Sequence, residues 1–215
     1  MTTQDTQHLI ETLAGDAPPV KRLRPPLLRA GIWLLCLAIP SAAAIAAFAD
    51  LGVFAQRIHH PELVVELIAT LATGCLAVIA AFELSLPDRS PHWALLPIPT
   101  LGIWLGASGA GCYRQFLTRG MDGSWQLGES GDCFMFILGL GLPLTLALLW
   151  ALRRARPINP LPVAVTGALG AAALAAFLLQ FFHPFDVTLM DLAIHACAVA
   201  LLVLMAAGRG RMLLK

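Results

Sequence analysis

The chain has 215 residues, of which 58% are hydrophobic and only 13% charged, about half the usual charged quarter of a globular protein. A soluble fold of this size has no means of covering so much apolar surface, so the composition excludes one and points to a bilayer as the solvent. The net charge of +1 favours no class of partner; the distribution of charge along the chain is more informative.

The chain opens with a polar stretch, residues 1–29, the only sizeable segment before the first apolar run. Within it Leu9, Ile10 and Leu13 recur at helical spacing, with Asp5 as the predicted N-cap and Gly15 as the C-cap of a short amphipathic helix. Pro18 and Pro19 end any such helix, and Pro25 and Pro26 stiffen the approach to the membrane. A helix of about ten residues is marginal alone in water. Its three large apolar side chains therefore lie on the bilayer surface or fold onto a partner protein, and the pattern leaves both open.

Crossing the hydrocarbon takes about 20 apolar residues in helical form. Six stretches qualify: residues 30–49, 62–84, 93–108, 133–152, 161–182 and 187–207. The third is interrupted in its first turns by Pro97 and Pro99. Each run is continuous, without the alternating polarity of a membrane β-barrel strand. The expected fold is an all-α bundle of six transmembrane helices over residues 30–207, between the N-terminal segment and a basic tail at 208–215. Small residues, Gly102 and Gly106 in the third span and Ala164, Ala168, Ala172 and Ala176 in the fifth, predict close helix packing.

Basic residues fix the expected orientation. Lys21, Arg22, Arg24, Arg29, Arg89, Arg153, Arg154, Arg156, Arg209, Arg211 and Lys215 fall on one side; only Arg57, Arg114 and Arg119 fall on the other. By the positive-inside rule, eleven against three puts both termini in the cytoplasm. Phe48-Ala49 before Asp50 resembles a signal-peptide cleavage site, but the apolar run is longer than a signal core and its basic flank lies far into the chain.

The outer side then carries Asp50–Pro61 with His59 and His60, the long glycine-rich stretch 109–132 with Cys112 near its start and Cys133 just after it, and a tight turn at His183-Pro184-Phe185-Asp186. Cys112 and Cys133 are open to a disulfide, to free thiols or to metal ligation. With His59, His60 and His183 they offer thiolate and imidazole, the donors suited to copper or zinc. Interfacial histidines bonded to water are the plainer alternative. Inside the spans, Asp191 and His195 stand four residues apart on one face, and Glu66 lies near the start of the second span. Ionisable residues at such depth are functional candidates or satisfy one another.

No CxxC pair, phosphate-binding glycine loop, nucleophile elbow or HExxH motif occurs. No enzymatic activity, resident cofactor or direct nucleic-acid contact is expected. Besides a regulator, the residues are compatible with a small transporter or channel using Asp191, His195 and Glu66, or with a structural subunit of a larger membrane complex.

The stretch Leu9-Ile-Glu-Thr-Leu-Ala-Gly-Asp16, then Ala-Pro-Pro-Val20, then Arg22-Leu-Arg-Pro-Pro26 leading into a tryptophan-bearing first span resembles the NrsF family, as does the ending Gly208-Arg-Gly-Arg-Met-Leu-Leu-Lys215. These are bacterial six-span membrane anti-sigma factors of extracytoplasmic-function sigma factors. The resemblance implies that Leu9, Ile10, Leu13 and Asp16 bind a sigma factor by coupled folding, in the inner membrane, with release under a periplasmic metal or redox stress. It also implies a sensing role for two outer cysteines. Cys133 matches the one that opens the fourth span. At the other, the proline and aspartate of the turn match but His183 replaces the cysteine, leaving a Cys/His pair. Cys112 is a thiol without an assigned counterpart.

Overall fold

The computed structural model describes residues 3–15, 22–119, 127–182 and 189–214. Among these there is no strand. Eight α-helices follow one another: α1 Thr3–Gly15, α2 Pro26–Phe48, α3 Leu51–Arg57, α4 Pro61–Leu84, α5 Ile98–Arg119, α6 Leu127–Leu152, α7 Pro160–Phe182 and α8 Leu189–Leu213. Six regions are long and apolar enough to cross a membrane: α2, α4, α6, α7, α8, and α5 together with the short 3-10 helix Pro91–Leu95 ahead of it. The all-α, six-span expectation holds.

Prolines start several of these elements, where their missing N–H costs nothing and their fixed φ suits a helix: Pro26, Pro61, Pro91 and Pro160 all open one. Asp50 caps α3 by accepting from the amides of Gly52 and Val53, each at 3.0 Å. The prolines of the third span divide it: Pro97 separates the 3-10 helix from α5.

Four local expectations change. The stretch 109–132 is not mainly loop, since α5 runs on to Arg119 and α6 starts at Leu127; its glycines tolerate a helix once neighbouring turns supply hydrogen bonds. The 50–61 connection holds the helix α3. Arg209 and Arg211 belong to α8 rather than to a separate tail. Asp5 sits inside the first turn of α1 instead of capping it, where a carboxylate still complements the helix dipole.

The packing is centred on α7, which lies against α4, α6 and α8; α5 packs on α4, and α2 rests mainly on α4. Small residues permit this. A Cβ on Gly170 would meet Val78 Cγ2 at 2.9 Å and its amide nitrogen at 3.0 Å, and one on Gly74 would meet Leu174 Cγ at 2.7 Å. The α4 and α7 backbones thus touch directly, the close approach that drives helix association in lipid. Ala164, Ala168, Ala172 and Ala176 are buried as expected. Gly102 and Gly106 are not part of such a contact: both are exposed, with nothing within 4 Å of a Cβ at either.

Candidate functional site

Two regions carry the residues singled out by sequence. At the end of the bundle that bears the termini, α1 precedes the first span. Asp5 lies in its first turn, Gln7 donates to Glu11 one turn on at 3.4 Å, and the Thr12 hydroxyl donates to the His8 carbonyl at 2.8 Å. These are local bonds of small individual worth. Every described side chain of α1 is exposed. Leu9, Ile10 and Leu13 are 46%, 55% and 63% exposed, and their i, i+3 and i, i+4 spacing makes one apolar stripe. Among the described residues, none covers that stripe. Asp16 lies outside the described residues.

At the opposite end of the bundle the ionisable and thiol groups gather. Glu66, one turn into α4, is buried at 8% exposure. A carboxylate there is costly unless hydrogen-bonded, and it is well supplied. Its Oε1 accepts from the Ser108 hydroxyl of α5 at 2.8 Å and from Gln180 Nε2 of α7 at 3.1 Å. Arg57, at the end of α3, donates from Nη1 to the Gln180 carbonyl at 3.3 Å and stands near enough to act on Glu66 electrostatically; Trp104 is a further neighbour. One buried carboxylate therefore ties together α3, α4, α5 and α7. Phe54 of α3 stacks on Phe181 of α7, with centroids 4.6 Å apart, and closes the cluster on that side.

Sequence reading found Glu66 but missed Ser108, Gln180 and Arg57 as its partners. Gln180 did carry a signal, being a lone amide in the otherwise apolar run 171–182. Ser108 and Arg57 carried none, because only the fold sets them beside the carboxylate. The same closure bears on the transporter reading: Glu66 is occupied by partners from neighbouring helices rather than lining an open path.

Cys112 lies four residues beyond Ser108 on α5 and is buried. Cys133, also buried, packs with Ile137, Leu179 and Ala198 where α6, α7 and α8 meet. His59 and His60 are both exposed, on the turn between α3 and α4. His183 lies outside the described residues. His195 is half-buried on α8; the side chain of Asp191, one turn earlier, is outside the description. Among the described residues no group of three His, Cys, Asp or Glu side chains is arranged to hold a metal ion.

A six-span bundle with an exposed amphipathic helix ahead of its first span, and its polar chemistry at the far end, is the build of a multi-pass membrane protein. The comparison with known families gives that build a place. The chain belongs to the NrsF family, negative regulator of sigma F, whose model matches residues 13–215. The match spans all six helices and opens at Leu13, so Leu9 and Ile10 stand just ahead of it. The family's description is that of a sigma-factor regulator. No curated protein and no solved structure matches the chain.

Proposed function

We propose that this protein is an anti-sigma factor of the bacterial inner membrane, with both termini cytoplasmic. It holds an extracytoplasmic-function sigma factor on α1 and releases it under a metal or redox stress outside. The exposure of Leu9, Ile10 and Leu13 along one stripe of α1 is the observation that carries this reading. Folding onto a sigma factor would give the helix a buried face. The eleven-to-three distribution of basic residues supports the orientation. The sigma factor, detained at the membrane, is then kept from RNA polymerase.

For the sensing end we propose Cys133 and His183, with Cys112 as a further thiol and His59 and His60 as reserve imidazoles. Thiolate and imidazole suit copper or zinc, bound transiently as signal rather than as a resident cofactor. A signal there acts only if it favours one helix packing over another. The Glu66 cluster, tying four helices at that end, is the element whose rearrangement would reach the rest of the bundle.

The experiment is a sigma-dependent reporter with the full-length protein. With Leu9→Asp and Leu13→Asp together, repression is lost while the protein stays in the membrane; full repression would end the docking idea. In the parent background, Cys133→Ser blunts induction by metals and oxidants. An unchanged response would remove Cys133 from the sensing role without touching the docking result.

A further inference from the structure

The end of the bundle that bears the termini has a cavity of about 710 Å³ between α2 and α6, within the size range of small-molecule sites. It exists because α2 rests on α4 and, less extensively, on α7, without comparable contact to α6. Its rim is basic: Arg22 and Arg24 ahead of α2, Arg29 one turn inside it, and Arg154 just past α6. No carboxylate lines it among the described residues. Arg29 is anchored by donating from Nη2 to the Ala151 carbonyl at 3.2 Å and by lying over the Phe82 ring at 5.0 Å. Its Nη1 is nonetheless buried without a hydrogen-bond partner among the described residues. A buried donor left unmade is costly, and an acceptor entering beside the Arg29 guanidinium would relieve that cost.

Below the rim the character changes. Ile32 and Cys36, one and two turns deeper along α2, continue the lining with Trp33 and Phe82. Trp150, 53% exposed, stands at the mouth with Arg153 and Arg154 over its ring at 5.6 and 5.2 Å. Tryptophan in such a place is the residue of the membrane–water interface. The cavity thus has cations at headgroup level and apolar walls beneath, open beside a helix that is itself largely uncovered.

We propose that this cavity binds an anionic phospholipid, its phosphate held by Arg29, Arg24 and Arg154 and the start of an acyl chain lying against Ile32, Cys36 and Trp33. Clustered arginines next to a membrane span suit an anionic headgroup, and guanidinium is the better fork for phosphate oxygens. An acidic peptide would satisfy the rim equally well. It would leave its own backbone polar groups unpaired in the apolar depth, which a lipid chain does not. Lipid in this position would fill the gap between α2 and α6 and fix the span from which α1 hangs. The site does not depend on the identity of α1's partner.

The test is native mass spectrometry of the full-length protein in mild detergent, titrated with phosphatidylglycerol, with phosphatidylcholine, and with inorganic phosphate. Phosphatidylglycerol is expected to be retained in preference to the other two. Arg24→Gln with Arg154→Gln weakens its retention by about 25-fold, from about fivefold per basic residue. Arg209→Gln with Arg211→Gln removes the same charge from the same end and leaves retention near the parent value. Ile32→Trp keeps every charge but fills the apolar depth, and also lowers retention. The proposal is overturned if the two lipids bind alike, if both double variants lose equally, or if Ile32→Trp binds as the parent does. It is equally overturned if inorganic phosphate, or a peptide spanning residues 5–16 of this chain, displaces the lipid.

Discussion

The α4–α7 contact and the helix α1 are built on opposite principles. Where α4 and α7 meet, glycines bring two backbones together, with Val78 set against Gly170 and Leu174 against Gly74. The result is a contact that holds without any partner. In α1, thirteen residues long, every described side chain is exposed, and bonds such as Gln7–Glu11 and Thr12–His8 run within the helix. Such a length is marginal in water. One region is therefore closed when the chain has folded, and the other keeps an apolar stripe open. Under the proposed function, this division lets the grip be undone while the frame stays whole.

The division can be broken from either side. The largest effect is expected at Gly170, where a branched side chain would have to displace the Val78 backbone. Gly170→Leu should destabilise the bundle by about 3 kcal/mol or more, seen as a lowered melting temperature in detergent and loss of membrane-inserted protein. An unaffected melting temperature would mean that α4 and α7 are less closely apposed than their backbones indicate. On the other side, Leu13→Ala should leave the melting temperature unchanged and weaken sigma-factor capture by about 2 kcal/mol, roughly thirtyfold, as read by affinity measurement on the reconstituted protein.

Between these lies Gln180→Leu. It deprives Glu66 of one donor and leaves the other, so a loss of about 1–2 kcal/mol in stability is expected, again by melting. A larger loss than Ser108→Ala would identify the amide as the principal support of the carboxylate. The smallest effect sharpens the contrast most. Thr12→Ala on exposed α1 removes a hydroxyl that bonds back to His8 and raises helix propensity by about 0.5 kcal/mol. If α1 folds on its partner, capture should tighten by about twofold while the bundle melts as before. No change in capture would indicate that α1 is already fully helical when free.

Much of this architecture was legible in advance. Six apolar runs, their approximate limits and the stripe of Leu9, Ile10 and Leu13 follow from length and periodicity, since a bilayer demands continuous apolar helices and a helix repeats every 3.6 residues. Family membership was legible too, from the proline-punctuated approach to the first span and the basic ending. What failed was local. The 109–132 stretch read as loop because glycine has low helix propensity, yet α5 and α6 extend into it. Gly102 and Gly106 read as a packing face but turn outward, because spacing shows that two residues share a face and never which way it looks.

By itself, then, the sequence determined the class of protein, the number of spans and the apolar stripe of Leu9, Ile10 and Leu13, all of which rest on composition and on distances along the chain. Only the tertiary structure decided that Glu66 is shared among Ser108, Gln180 and, through it, Arg57, and that Arg24, Arg29 and Arg154 converge on one cavity. The reason is physical. Ser108 and Gln180 lie 42 and 114 residues from Glu66, Gln180 lies 123 from Arg57, and Ala151, which anchors Arg29, lies 122 from it; what brings such distant groups together is the order in which apolar helices pack rather than any property of the polar residues themselves.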